Sequence, residues 1–244
     1  MNRAGIPARQ AKQHLLPSLT KPPGAHIFAY VMMKGIKAII FDLDGTLIDA
    51  SDGVVECFNY ALKEAGLKPA PAEEIKSTIG YPPKEVFKRY SKSKVEFLHR
   101  KLLKRAKEVM AEKSRLLPGA RETLEFCNRN GFKCGMATTK YRENGMRVLT
   151  KLEIDNYFDV ILFGDEVEFV KPHPGIIYRM AEKLDAKPQE TLVVGDTIND
   201  VMAARAAGAT SVSVTSGVDP KWKLLSEKPD YLINTVGDLI KLLS

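Results

Sequence analysis

From residue 117 onward the chain alternates short apolar runs with helical stretches, and this rhythm restricts the fold more than any other feature. Residues 133–138, 160–163, 192–195 and 211–214 read as strands, too short and too uniformly apolar to be exposed on either face. Helical patterns fall between them, at about 118–130, 141–152, 174–184 and 199–207. Pro118-Gly119 and Pro174 stand at two helix starts, and Gly131 and Gly208 at two helix ends. A last short strand and helix finish at Leu243. Such alternation forces a parallel sheet, because each strand needs a crossover helix before the next can begin on the same side. The expected fold is α/β, with a doubly wound, Rossmann-like parallel-sheet core.

One more strand, at 36–41, precedes this series and is separated from it by a long helical stretch. Val54, Phe58, Ala61, Leu62 and Ala65 recur on one helical face closed by Gly66. Shorter helical pieces follow around 73–79 and 84–90, then a long helix over about 94–114, with no strand pattern anywhere in the stretch. A connection of 65 to 70 residues is too long for a loop. Residues 50–116 are therefore expected to form a helical cap domain inserted into a core made of 34–49 and 117–244.

Residues 1–33 carry four prolines and no sustained periodicity, so they are read as an extension outside the core. A start at Met32 or Met33 is the simpler account, and an acid-free targeting peptide the alternative. The charge balance has the same origin. Six Lys/Arg lie in residues 1–37 before the first acid, Asp42; without them 31 basic residues face 30 acidic ones. The formal net charge of +7 thus mostly describes a tail and does not indicate a nucleic-acid surface. Between Lys84 and Arg115, twelve Lys/Arg outnumber four Glu. This is read as a solvated helical face, or as a positive cover drawing in an anionic substrate if it lies over the site. No apolar run approaches the ~20 residues of a membrane span, so no membrane partner is expected. Cys57, Cys127 and Cys134 form neither a CxxC pair nor an even framework, and read as buried thiols of a cytoplasmic protein. The oligomeric state is left open.

In an open parallel sheet the reactive crevice lies beyond the carboxyl ends of the strands. Asp42 and Asp44 follow the first strand, Thr138 the second, Lys171 lies after the third, and Asp196 and Asp200 follow the fourth. Three carboxylates at one mouth repel each other by about 4 kcal/mol per pair at ~4 Å and an effective dielectric near 20. A bound cation or raised pKa values relieve that repulsion. An all-oxygen set without His or Cys suits Mg²⁺, and Lys171 and Thr138 are then placed to hold a phosphoryl group. His173, between two prolines, is read as shaping its loop, and His99 as a partly exposed helix residue.

The segments Asp42-Leu43-Asp44-Gly45-Thr46-Leu47, the strand-ending Thr138, Lys171-Pro172-His173-Pro174 and Gly195-Asp196-Thr197-Ile198-Asn199-Asp200 occur in an order and spacing that resemble the haloacid dehalogenase superfamily. The likeness covers about residues 35–244, and within it the phosphoglycolate-phosphatase-like branch with a helical cap is most similar. The resemblance implies a phosphoric monoester hydrolase that acts on small phosphorylated metabolites through an aspartyl phosphate. It implies Asp42 as nucleophile, Asp44 as acid and base, and Mg²⁺ on Asp42, Asp196 and the Asp44 carbonyl. Thr138, Thr139 and Lys171 would bind phosphate, and Asp200 would act behind them. By analogy the loop carrying Tyr81 and Lys84 would set specificity, with phosphoglycolate or a sugar phosphate among the candidate substrates. Sugar-phosphate mutases of the same superfamily are the alternative, but their usual cap His near Val54 and Arg near Pro83 are missing. A receiver-like phosphoacceptor module is the non-enzymatic alternative; it would lack both the long insert and the acid at position 44.

Overall fold

The computed structural model describes residues 35–244, so the expectations for residues 1–33 lie outside the described residues. Six strands form one sheet: β1 (Ala38–Phe41), β4 (Lys133–Ala137), β5 (Val160–Leu162), β6 (Thr191–Gly195), β7 (Thr210–Val214) and β8 (Tyr231–Ile233). Their order is β5-β4-β1-β6-β7-β8, and every neighbouring pair is parallel. β1 lies between β4 and β6, with Ile39 level with Cys134 on one side and Leu192 on the other.

Alternation along β1 feeds two apolar layers. Ile39 and Phe41 join Cys134, Met136, Leu192 and Val194 in one cluster, while Ala38 and Ile40 join Ala137 and Val193 in the other. The first layer is covered by α5 (Ala120–Arg129), α6 (Arg142–Lys151) and α10 (Leu239–Leu243) through Leu124, Val148, Leu149 and Leu239. The second is covered by α7 (Gly175–Lys183) and α8 (Ile198–Ala207) through Ile176, Met180, Ala203 and Ala207. Burial on both faces is why these strands are short and apolar throughout. Truncating a fully buried anchor such as Phe41 would cost about 3–5 kcal/mol.

Between β1 and α5 the chain runs through α1 (Ser51–Glu64), α2 (Ala72–Lys76), α3 (Pro83–Phe87) and α4 (Val95–Val109). α1 packs on α4 with Cys57, Phe58, Ala61 and Leu62 against Leu98, Leu102 and Ala106, all in the same apolar cluster as Phe41 and Met136. Two features here differ from the sequence reading. A two-stranded antiparallel ladder, β2 (Ile48–Asp49) with β3 (Arg115–Leu116), stitches together the two ends of the helical stretch. Two residues are too few to show a periodic pattern. A further short helix, α9 (Lys221–Ser226), lies between β7 and β8. Among the described residues no helix is long and apolar enough to cross a membrane.

Candidate active site

Since β4, β1 and β6 are adjacent and parallel, the residues that follow them emerge side by side. Asp42 continues the ladder for one more bond, its N–H donating to the Val194 carbonyl at 2.8 Å. The Asp42, Asp44, Thr138, Lys171, Asp196 and Asp200 side chains are all buried here, although their positions span most of the chain.

Lys171 organises the centre. Its ammonium donates to Asp42 Oδ1 at 2.6 Å, to Asp200 Oδ1 at 2.6 Å and to the Ala137 carbonyl at 2.9 Å. These three acceptors satisfy its three N–H groups. Burial works to lower the Lys171 pKa, but the Asp200 and Asp42 charges outweigh it and hold the amine protonated. Asp200 also serves its own helix. Its Oδ2 accepts from the Thr197 N–H at 3.1 Å and the Thr197 hydroxyl at 2.6 Å, fixing the first turn of α8. One carboxylate thus both caps the helix and anchors the lysine.

Asp196 is fully buried, with Oδ1 accepting from the Thr46 hydroxyl at 3.0 Å and Oδ2 from the Val218 N–H at 2.7 Å. Neither donor is charged, and among the described residues no cation pairs with it. Burial, then the Asp42 and Asp200 charges, push its pKa well up. Burial likewise raises Asp42, to about 7, against the opposing pull of Lys171. Two glycines make the close packing possible. A side chain at Gly45, where φ is +89°, or at Gly217 would overlap the Asp196 carboxylate.

Asp44 sits to one side of this cluster. Its Oδ2 pairs with the Lys140 ammonium at 3.1 Å, both side chains about one-tenth exposed, while its Oδ1 is buried without a hydrogen-bond partner. The Thr138 hydroxyl accepts from the Lys140 N–H at 3.2 Å, which holds the turn carrying Lys140. Beyond Asp44 opens a cleft between α1, α4 and the 139–144 segment. Thr139 and Tyr81 line it; Lys84 does not, its ammonium pairing instead with Glu96 at 2.9 Å. The Tyr81 hydroxyl accepts from Lys223 at 3.1 Å, Lys223 pairs with Asp219 at 2.6 Å, and Asp219 Oδ2 accepts from the Ile198 N–H at 2.8 Å.

Much of the cationic surface between Lys84 and Arg115 is paired with carboxylates. Lys88 meets Glu85, Lys101 meets Glu64, Arg105 meets Glu56 and Glu108, and Lys107 meets Glu143. His99 differs from the sequence reading: it is buried, 5% exposed, with its ring edge-on to Tyr141 at 5.1 Å, and burial lowers its pKa. It lies next to Leu98 and three residues before Leu102, at the margin of the apolar face, and Tyr141 covers it. His173 Nδ1 accepts from the Gly175 N–H at 3.0 Å, a bond that shapes its loop. Lys140, Thr46 and the Asp219–Lys223 pair are not found from the sequence. A lysine two residues beyond a strand-ending threonine carries no signal of its own until the strand order puts it beside Asp44.

The three cysteines are buried free thiols, and burial pushes Cys57 up to about 12. Among the described residues no three His, Cys, Asp or Glu side chains converge tightly enough to hold a metal ion unaided.

Comparison with known proteins bears on this arrangement. Residues 39–214 match the family described as haloacid dehalogenase-like hydrolase. The chain is 32% identical over 212 residues to pyrophosphatase PpaX of Bacillus mycoides, covering 86% of this chain and 97% of that one. Among solved structures, a predicted phosphoglycolate phosphatase from Haemophilus somnus 129PT aligns with a TM-score of 0.79 at 28% identity, covering 87% of this chain and 100% of that one. The haloacid dehalogenase-like family hydrolase SP0104 from Streptococcus pneumoniae aligns with a TM-score of 0.79 at 27% identity, over 86% and 99% of the two chains.

Proposed function

The chain belongs to the haloacid dehalogenase-like hydrolase family, and from that premise we propose that it is a Mg²⁺-dependent phosphatase of small phosphomonoesters that works through an aspartyl phosphate on Asp42. The observation that carries this reading is the buried bridge from Lys171 to Asp42 and Asp200, 2.6 Å each way, which joins three sequence-distant residues into one charged centre.

The fit of a divalent cation can be argued from charge. Asp42 and Asp200 share a single buried ammonium, and Asp196, also buried, accepts only from neutral donors. Two positive charges are missing, and every donor atom on offer is oxygen, which suits Mg²⁺. Asp42, Asp196 and the Asp44 backbone carbonyl would hold it. With fewer than three carboxylates converging, the rest of its shell falls to water and substrate, in keeping with the reluctance of Mg²⁺ to shed its waters. When bound, it would neutralise phosphoryl charge.

Each side chain then has a defined role. Lys171 favours the ionised form of Asp42 and places it for in-line attack on phosphorus; the new bond is Asp42 O–P and the broken one is P–O of the ester. Thr138, with the neighbouring Thr139, donates to the phosphoryl oxygens. Asp44 gives a proton to the leaving oxygen, then removes one from the water that attacks phosphorus, which returns Asp42 and releases phosphate. Asp200, fixed by Thr197, holds Lys171 in register. Residues 50–116 act as a cap over a core of 34–49 and 117–244, with Tyr81 and Lys84 contributing to specificity. The protein acts in the cytoplasm without a nucleic-acid or membrane partner. Val54 and Pro83 line the cleft where a mutase would carry its His and Arg, which favours hydrolysis over phosphoryl relay.

The test is turnover of 4-nitrophenyl phosphate with Mg²⁺, with a chelator, and with Asp42→Asn. Activity that requires both the metal and Asp42 is expected. An Asp42→Asn enzyme as active as the parent removes the covalent route, and a single stoichiometric phosphorylation without turnover favours a receiver-like module.

A further inference from the structure

The segment 77–82, between α2 and α3, carries Tyr81 into the wall of the cleft. Two contacts set this segment against the loops at the end of the sheet. Gly80 has φ +86°, and a Cβ there would stand 3.1 Å from Thr197 Cγ2, so the backbone comes close to the start of α8. The Tyr81 hydroxyl accepts from the Lys223 ammonium at 3.1 Å. Among the described residues this is the one hydrogen bond from 77–82 to residues 117–244.

Lys223 is itself fixed from behind. Its ammonium pairs at 2.6 Å with Asp219, whose side chain is 3% exposed. Asp219 Oδ2 accepts from the Ile198 N–H at 2.8 Å, and the Asp219 N–H donates to the Asp196 carbonyl at 3.3 Å. The neighbouring Val218 N–H donates to Asp196 Oδ2 at 2.7 Å. Residues 217–219 thus wrap around Asp196, and Lys223 extends that wrap to Tyr81. Neutralising Asp219 does not require this last link. With its side chain 27% exposed, Lys223 has water for its remaining N–H groups, yet one of them goes to a phenol 142 positions away.

Resting on the phosphatase reading above, we propose that Lys223 is a positioning residue: through the Tyr81 hydroxyl it holds segment 77–82 on the loop that encloses Asp196, and so keeps the cleft in the arrangement that receives substrate. Tyr81 is the wall, and Lys223 fixes where the wall stands without touching the substrate. Once that bond is removed, only α2, α3 and the Gly80–Thr197 approach locate the segment. Substrate binding must then supply the ordering that Lys223 now provides. The loss falls on binding, while the Asp42–Lys171–Asp200 bridge stays intact.

The experiment is a double-mutant cycle of Tyr81→Phe and Lys223→Met in the Mg²⁺-loaded enzyme, read with 4-nitrophenyl phosphate and 4-carboxyphenyl phosphate. Tyr81→Phe keeps the ring and the Lys223–Asp219 pair and deletes the hydroxyl alone. It should raise KM about three- to tenfold with kcat within about twofold, by the same factor for both esters. Lys223→Met should raise KM in the parent and add nothing further in the Tyr81→Phe background. Its lower stability, from a buried Asp219 left unpaired, is expected in both backgrounds and is read separately by denaturant unfolding. Lys223→Arg should hold KM within about twofold of the parent. Amide hydrogen exchange at residues 78–81 should quicken in Tyr81→Phe while that of 192–195 stays as in the parent. A KM unchanged in Tyr81→Phe overturns the proposal, as does a Lys223→Met effect on KM that is equal with and without the hydroxyl. A KM rise confined to the carboxylated ester makes Lys223 a ligand of the substrate and overturns it too. If the parent turns over neither ester, the phosphatase reading fails, and exchange alone then decides whether Lys223 holds the segment.

Discussion

Two charged regions of the molecule use the same residue types to opposite effect. At the end of the sheet, Lys171 holds Asp42 and Asp200 in a setting where all three side chains are at most 8% exposed. Along α4 and its neighbours, pairs such as Lys84–Glu96 and Lys101–Glu64 lie in the open, with side chains 29–73% exposed. Distances are similar in both, so geometry does not separate them. Solvent does: water screens the outer pairs until they contribute little, whereas the inner group sits in a low-dielectric pocket where each charge controls its neighbours' protonation. A dense patch of lysines in a sequence is therefore a poor guide to a buried charged centre, and a lone lysine before a proline can be a good one.

The contrast is put under most strain by Lys171→Met. It leaves Asp42 and Asp200 buried without their shared cation, so a loss of about 3–5 kcal/mol in unfolding free energy is expected, with turnover of 4-nitrophenyl phosphate down about 10²–10³-fold. Denaturant unfolding and steady-state kinetics would read both, and a variant as stable and active as the parent would erase the distinction between the regions.

A pH series sharpens it further. Burial raises Asp42 to about 7, above its value in the unfolded chain, so between about pH 5 and 7 the folded protein retains a proton that the unfolded chain has released. In the absence of a divalent cation, stability should fall as pH rises through that window, by on the order of 2 kcal/mol for this one group. Surface carboxylates with lowered values, such as the half-buried Glu56 and the exposed Glu96, are already ionised there and add no slope. The slope should flatten in Asp42→Asn and on adding Mg²⁺. Thermal midpoints that rise with pH across the window in metal-free buffer would contradict it.

The smallest effect is expected at Lys84→Ala. Its partner Glu96 is largely in solvent, so stability should hardly change, and a contribution to substrate attraction would surface as a change in KM larger than that in kcat. A KM unchanged for every active substrate takes Lys84 out of the substrate site.

Legibility in the sequence follows the same divide. The sheet can be read because strands buried on both faces must be apolar throughout, and the punctuation at Pro118-Gly119, Gly131 and Gly208 marks where their helices begin and end. The acids, Thr138 and Lys171 can be placed together because strand ends of a parallel sheet share one edge. Lys140 cannot, since its meaning arises only from the turn that brings it to Asp44. His99 is misjudged from sequence because the ring packed against it, Tyr141, lies 42 positions further along the chain. The β2–β3 ladder escapes because two paired residues leave no pattern to detect.

That ladder has a structural corollary. Asp49 stands directly opposite Arg115, so the chain leaves the sheet and returns to it at nearly the same point, within the ~5 Å spacing of paired strands. Topologically the helices form a detour on a path that would close with a tight turn. Such a detour can be lengthened, shortened or rebuilt without moving one strand of the sheet out of register. What ties the detour down is oil rather than connectivity: excising it would bare the faces that Cys57, Phe58 and Leu102 now cover.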